Sequence, residues 1–280
     1  MEFPFKIQKR FINLNLIIYL FLIWNAFKLF VINSDPIIQI LNLLLSIGIF
    51  FCLEDKNLQI KSKRRLSFFI GIVGVAITFC RFYILNSVED KYYYFNLPFG
   101  IFFLIIILKP FNQFFYFKKI FFISLLLPLR RLFFHFANYF LGSIVPFLTW
   151  FVLFSLGKNP ILDGENIYIA DHQLVLGKGC LGSDNLYFVL STLLIYYSIF
   201  RLRKSNNTIT IIALSISTSI FINIFRNVLL ALLVSSDITL KDDIFYFIHD
   251  SYGSLIFSFF SVSIISVLYF KLLDKELSSF

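Results

Sequence analysis

Runs of apolar residues, each long enough to cross a bilayer as a helix, recur along most of the 280-residue chain. A helix rises about 1.5 Å per residue, so about 20 apolar residues cover the roughly 30 Å of hydrocarbon in a bilayer. Apolar residues make up 59% of the chain and 40 residues are Phe, which exceeds the composition of soluble globular proteins. The sequence therefore predicts an all-α polytopic membrane protein.

About eight transmembrane helices are predicted within a single integral membrane domain, residues 1–280. Their approximate bounds are 11–32, 36–53, 66–86, 93–108, one crossing within 111–156, 181–200, 208–234 and 244–270. Pro128 and the pair Arg130 and Arg131 interrupt the fifth segment, which leaves open one bent helix or an interfacial helix plus a span. Residues 160–176 alternate apolar and polar residues between turn signals, which predicts a short extracytoplasmic β-hairpin before the sixth span.

The distribution of Lys and Arg orients this topology. Loops on one side carry 16 of the 25 Lys and Arg residues, whereas the other side carries four, and basic loops tend to remain in the cytoplasm. The chain is therefore predicted to be an integral, multi-pass protein of the cell (inner) membrane with both termini in the cytoplasm. This topology and contact with anionic lipid account for the net charge of +9, so a nucleic-acid partner is not needed.

Three reactive side chains fall near the outer ends of the last three predicted spans. Cys180 precedes the sixth span, and Arg226 and His249 lie about 12 Å and 8 Å from the outer ends of the seventh and eighth. We therefore expect the three to line one site that faces the extracytoplasmic side. Cys52, Cys80 and Cys180 lack metal-ligand spacing, and the three scattered His residues lack a carboxylate pattern, so no metal or other cofactor is predicted.

Each residue also has a structural interpretation. A lone Cys is more often a small buried hydrophobe, and Cys180 has a possible disulfide partner in Cys80. An Arg inside a span costs at least about 2.5 kcal/mol on insertion scales, so Arg226 needs a partner or a role. Its structural partner would be Asp184 or Asp250.

Small and polar neighbours favour a functional interpretation of the same residues. Gly179 and Gly182 would let a substrate approach the sulfur closely. Asn223, one helical turn before Arg226, could hold the guanidinium or a substrate carbonyl. His249 alone resembles a core histidine, but Gly253, one turn later, would leave space beside the imidazole.

Together the three side chains have the chemistry of acyl transfer. His249 can accept the thiol proton of Cys180, while Arg226 can lower the pKa of the thiol and stabilise the oxyanion of a tetrahedral intermediate. The resulting thioester would be resolved by water or by an amine, and the residues do not choose between these acceptors.

The residues of this site and several motifs around it resemble the exosortase/archaeosortase family of membrane cysteine transpeptidases. The motifs are Leu127–Leu129 around Pro128, Gly164 and Asn166 in the hairpin, Gly-Cys-x-Gly at 179–182, Asn-x-x-Arg at 223–226, and His249 followed by Gly253. Leu181 departs from the family, in which many members have Ser after the Cys. The resemblance covers roughly the second half of the chain, so 1–110 are interpreted as accessory helices and 111–280 as the catalytic core.

The resemblance implies that Cys180, Arg226 and His249 form the catalytic set. It also implies that the substrates are exported proteins whose C-terminal sorting signal has a short motif, a transmembrane helix and a terminal basic cluster. The alternative from another class is a transporter or carrier that binds an anionic lipid head group through Arg226 and Arg81. Against this alternative, the sequence shows no inverted repeat of the kind typical of transporters. A scaffold for partner helices is a third hypothesis, which leaves a buried Arg unexplained.

Overall fold

The computed structural model describes residues 18–31, 35–54, 65–84, 93–108, 117–236, 241–249 and 251–278. Some predicted features lie outside these residues, namely those at the N-terminus, at Asn33 and Ser34, in the basic loop at 55–64, at Glu89 and Asp90, at 109–116 and at Asp250. The described helices are α1 (Ile18–Val31), α2 (Pro36–Glu54), α3 (Arg65–Ile84), α4 (Asn96–Leu108), α5 (Lys118–Ser155), α6 (Ser183–Ile199), α7 (Ser205–Val234), α8 (Lys241–His249) and α9 (Ser251–Leu277). The strands are β1 (Ile161–Asp163), β2 (Asn166–Ile169) and β3 (His172–Val175).

Three helices are long and apolar enough to cross a membrane, namely Lys118–Ser155, Ser205–Val234 and Tyr252–Leu277. Shorter apolar helices cover Ile18–Val31, Pro36–Cys52, Ser67–Arg81 and Asn96–Ile107. The described part of the chain is therefore predominantly helical, as expected for an all-α membrane protein, while the total of eight crossings and their orientation stay predictions.

The chain forms two compact units, Met1–Leu129 and Arg130–Phe280, so helix α5 begins in the first and ends in the second. In the first unit, α2 begins as its sequence predicts, because Asp35 accepts a hydrogen bond from the main-chain amide of Ile37 at 2.9 Å and Pro36 occupies the first helical position. The second unit contains all three candidate site residues. The division after residue 110 stays a prediction.

Helix α5 is continuous through Pro128 and the arginine pair, which the sequence had left open as one bent helix or two segments. Arg130 lies within this helix and has an ionic partner, which is described below. The next residue, Arg131, is exposed. In the first unit, a buried side-chain hydrogen bond of 3.0 Å joins Asn25 of α1 to Asn42 of α2.

The segment predicted as one hairpin forms a three-stranded antiparallel sheet with strand order β1-β2-β3. Two connections of two residues join its strands, and Gly164 (φ +60°) and Ala170 (φ +52°) adopt the left-handed conformation in them. Ile167 and Ile169 of β2 and Leu174 of β3 are buried, so one face of the sheet packs on the protein. The side of the membrane on which the sheet lies stays a prediction.

Helices α6, α7 and α9 pack against one another and carry buried polar contacts. The side-chain amide of Asn185 donates to the main-chain oxygen of Ser219 (3.0 Å) and to the hydroxyl of Ser261 (3.1 Å), which connects the three helices. Glu276 of α9 accepts hydrogen bonds from the main-chain amides of Arg203 and Lys204 just before α7 begins. These contacts fix α7, the helix that carries Arg226, relative to its neighbours.

The predicted eighth span, 244–270, is two helices rather than one. Helix α8 ends at His249 and α9 begins at Ser251. A Cβ added to Gly253 would lie 1.9 Å from the main-chain oxygen of Phe247, so the first turn of α9 is in close contact with the backbone of α8. Gly253 therefore permits this helix contact, and the expected open space beside the imidazole is filled by α8.

Candidate active site

Cys180 lies in the turn that joins strand β3 to helix α6. Its main-chain amide donates a hydrogen bond of 2.7 Å to the oxygen of Gly177, which closes the turn. The residue is buried, with only 2% of its surface exposed. The adjacent Gly179 is exposed, and a Cβ added there would have no atom within 4 Å, so there is open space at Gly179 itself, whereas the cysteine is buried.

Two asparagines of α7 hold the main chain of Cys180. The side-chain amides of Asn223 and Asn227 both donate to its carbonyl oxygen, at 2.8 Å and 3.0 Å. The two asparagines are four residues apart and therefore lie on one face of the helix. The Asn223 amide thus bonds the main chain of Cys180 rather than the guanidinium in this structure, and its predicted contact with a substrate carbonyl stays a prediction.

Gly182 completes the packing of this turn. It has φ +82°, and a Cβ at this position would lie 2.4 Å from Cγ of Asn223. Only glycine adopts this conformation readily and also leaves room for the amide. Gly182 therefore serves the contact with Asn223, rather than the access for substrate that the sequence predicted.

The Cys180 side chain belongs to an apolar cluster formed by the buried face of the sheet and by α7. The cluster contains Leu153, Ile167, Ile169, Leu174, Leu176, Cys180, Ile224, Val228, Leu230 and Ala231. Burial raises the pKa of the Cys180 thiol, and the nearby positive charge of Arg226 lowers it by a smaller amount. Burial therefore has a larger effect on this pKa than the charge of Arg226 has, and the predicted catalytic role of Arg226 stays a prediction.

The guanidinium of Arg226 is buried and binds the end of α8. Its Nε donates to the carbonyl oxygen of Ile248 at 3.1 Å, and one terminal nitrogen donates to that of His249 at 2.6 Å. The last carbonyls of a helix lack partners within the helix and carry partial negative charge, which suits a cation. Among the described residues, the helix end thus supplies the hydrogen bonds that hold Arg226, and Asp184 acts on it only through its charge. The predicted pairing with Asp250 lies outside the described residues.

His249 is the last residue of α8 and is exposed. Its ring stacks on the ring of Phe245, with centroids 5.3 Å apart and an angle of 12° between the planes. Arg226 reaches the carbonyl oxygen of His249, so the connection between these two residues runs through the main chain. Phe245 and Ile248 also pack on the Cys180 cluster, which brings α8 against the cysteine's surroundings.

Comparison with known proteins decides the family. The model for the transmembrane exosortase family (Exosortase_EpsH) matches residues 16–266, which include Cys180, Arg226 and His249. The chain belongs to the exosortase family. No curated protein and no solved structure matches it. The predicted resemblance is thereby confirmed at the level of the family, and it extends beyond the second half of the chain, from which it was inferred.

Asp184, in the first turn of α6 of this exosortase, pairs with Arg130 of α5. One carboxylate oxygen accepts hydrogen bonds from Nε and from a terminal nitrogen of Arg130, at 3.0 Å and 2.6 Å. The side chains are 15% and 19% exposed, so the pair is largely buried. Asp184 also interacts electrostatically with Arg226, so its negative charge acts on two arginines.

Sequence reasoning missed Asn227 and Arg130 as contributors to the exosortase site. Asn227 carried a detectable signal, because it lies one turn after Asn223 and next to Arg226. Arg130 carried none that would identify its partner, since 54 residues separate it from Asp184. Among the described residues, no group of three or more His, Cys, Asp or Glu side chains is arranged to hold a metal ion.

Proposed function

We propose that this exosortase is an intramembrane cysteine protease or transpeptidase that cleaves the C-terminal sorting signal of exported proteins at the outer face of the membrane. One observation carries the proposal. Arg226 interacts electrostatically with the Cys180 thiol and also donates a hydrogen bond to the carbonyl of His249. The residue types needed for a cysteine nucleophile, a positive charge and a base therefore come from three connected parts of one unit.

In the proposed reaction, His249 accepts the proton of the Cys180 thiol as the sulfur attacks the substrate carbonyl. A carbon–sulfur bond forms, and the carbonyl becomes an oxyanion that the charge of Arg226 stabilises. The peptide carbon–nitrogen bond then breaks, and the leaving amine takes the proton from the imidazolium. Water or an acceptor amine subsequently displaces the sulfur from the thioester, which restores the thiol.

The burial of Cys180 favours proton transfer during attack over a thiolate that exists beforehand. Its carbonyl is held by two amides and its amide by Gly177, so the main chain of the nucleophile is fixed. Fixing a reacting group before the substrate arrives lowers the entropic cost of the reaction. In the proposed reaction the imidazole of His249, at the exposed end of α8, accepts the thiol proton directly or through a water.

The proposed substrates are exported proteins with a recognition motif, one transmembrane helix and a basic cluster at the C-terminus. Such a helix would enter the site laterally from the bilayer, with its basic cluster in the cytoplasm. This requires an inner-membrane enzyme with cytoplasmic termini and a site on the extracytoplasmic side, as the distribution of Lys and Arg predicts.

Co-expression with an exported protein that carries such a tail tests the proposal. Wild-type enzyme and the control Cys80→Ser should both shorten the substrate, while Cys180→Ala and the nearly isosteric Cys180→Ser should leave it intact. Processing that persists in Cys180→Ala would contradict the nucleophile assignment. A carrier for anionic head groups predicts that Cys180→Ala is silent and that Arg226→Gln abolishes binding.

A further inference from the structure

Strand β3 has an edge that no other strand in the described residues occupies, here called its free edge, and the register of the sheet identifies the groups on it. The main-chain amide of Leu176 donates to the oxygen of Glu165 at 2.9 Å, which extends the β2–β3 ladder by one hydrogen-bonded pair. In an antiparallel ladder, such pairs alternate with pairs that exchange no hydrogen bonds. Gln173 and Val175 therefore direct their N–H and C=O groups away from β2, toward the edge that no other strand of the sheet occupies.

The contacts with α7 involve the face of the sheet. Leu174 and Leu176 point into the Cys180 cluster, where they meet Ile224 and Val228 of α7. The intervening residues are exposed, and Val175 retains 55% of its surface. The helix thus covers one face and leaves the residues whose main-chain groups form the free edge of β3 accessible.

The two outer edges of the sheet differ in how strongly they discourage pairing with a further strand. Strand β1 has three residues, follows Pro160 and ends on Asp163, and short strands, Pro and charges all discourage another strand from pairing. Strand β3 contains no Pro, Lys, Arg or carboxylate in His172–Val175. An unprotected edge is the surface to which an extended peptide adds as a further strand.

We propose that an extended segment of the substrate pairs with the free edge of β3, through the main-chain groups of Gln173 and Val175, and so delivers the scissile bond to Cys180. This proposal rests on the proposed function. Val175 lies five residues before Cys180, a path of at most about 18 Å, and the turn closed by Gly177 shortens it. The paired segment therefore lies within about five residues of the cleaved bond, with open space at Gly179 for its approach.

Proline substitutions test the edge because they remove one N–H without disturbing the β2 ladder. Gln173→Pro and Val175→Pro should each lower kcat/KM for the processing of a co-expressed tailed substrate about fivefold, the effect of one lost hydrogen bond. Gln173→Ala and Val175→Ala are the matched controls, because each changes the same exposed side chain and keeps the N–H. An equal loss in these controls, or wild-type rates in both proline variants, would overturn the proposal.

Cross-linking provides a measurement that does not depend on turnover. Val175→Cys is combined with Cys180→Ala and Cys80→Ser, and single cysteines are placed along the substrate segment before its transmembrane helix. A short bis-maleimide should link alternate substrate positions, because side chains of a paired strand alternate between its two faces. Uniform cross-linking along the segment, or none, would contradict strand addition.

The outcomes separate this proposal from the one on which it rests. Processing that does not require Cys180 would refute the cysteine mechanism itself. Processing that requires Cys180, accompanied by wild-type rates in the β3 proline variants and by no alternation in cross-linking, would refute only the docking of substrate on β3.

Discussion

The side-chain amide of Asn223 donates a hydrogen bond of 2.8 Å to the main-chain oxygen of Cys180, and Asn227 donates a second to the same atom. The cysteine is thus attached to the helix that also carries Arg226. The relative position of sulfur and guanidinium depends on these two amides, as much as on the reactive side chains themselves.

Replacing either asparagine by Ala should leave part of the bonding capacity of a buried carbonyl unused, at a cost of about 1–3 kcal/mol in stability. Because small displacements at a reacting centre are costly, processing should fall by up to about 100-fold in the double variant. The double variant should lose more stability than the sum of the single losses, since only the double variant leaves the buried oxygen without either amide. Thermal unfolding in detergent and substrate processing measure these effects. Full activity in Asn223→Ala/Asn227→Ala would show that the amides do not position the nucleophile.

Gly182→Ala should be destabilising by about 1–3 kcal/mol, because the new Cβ meets Asn223 and φ is +82°. Gly177→Ala in the same turn is the matched control, since a Cβ there would have open space and the residue lacks a positive φ. Melting temperature and the yield of folded membrane protein report the difference. Equal tolerance at the two glycines would contradict the contact with Asn223.

Removing one member of the Arg130–Asp184 pair should leave the other charge largely buried without its ionic partner. We expect Arg130→Gln or Asp184→Asn to lose about 1–3 kcal/mol, a value between those of exposed and fully buried pairs. The exchanged pair Arg130→Asp/Asp184→Arg should recover part of this loss. Arg131→Gln, at the exposed neighbouring position, should be silent in thermal unfolding. No recovery in the exchanged pair, together with small single losses, would argue against a stabilising ion pair.

The raised pKa of Cys180 predicts a particular pH dependence of its alkylation. Only the thiolate reacts, so Cys180 should react more slowly than a short cysteine peptide near pH 7, and its rate should still rise at pH values where the peptide has reached its maximum. Arg226→Gln should move the pH profile of alkylation to still higher pH, because the substitution removes the charge that lowers the pKa. Mass spectrometry quantifies labelling at Cys180 itself. A Cys180 alkylation rate that reaches its maximum at a lower pH than that of the peptide would contradict the dominant effect of burial on the pKa.

The candidate residues of the site could be selected from the sequence because they are of unusual types for their positions, while their catalytic roles stay predictions. An Arg within an apolar run requires partners, and this requirement identified Arg226. Its partners were not predictable, because they are main-chain carbonyls at the end of α8 and such groups have no sequence signature. The same limit applies to Asn223, whose amide was expected to bind a side chain or a substrate and, in this structure, binds the main chain of Cys180.

The strands and the ends of helices show the second limit. Alternation predicted strands in 160–176, but the second hairpin depended on Ala170, a residue that seldom adopts positive φ. The break between α8 and α9 was missed because 244–270 is apolar on both sides of it. Gly253, which the close approach of Phe247 requires, was interpreted as open space, since the sequence does not show which backbone faces a glycine.

The identity of the nucleophile is tested most directly by the covalent intermediate. Purified enzyme is incubated with a tailed substrate, quenched in acid and analysed by mass spectrometry. The account predicts a substrate-derived acyl group on Cys180 that hydroxylamine removes, as expected of a thioester, and that is absent in Cys180→Ala. Cleavage of the substrate without any acyl group on Cys180, or with the group on another residue, would contradict it.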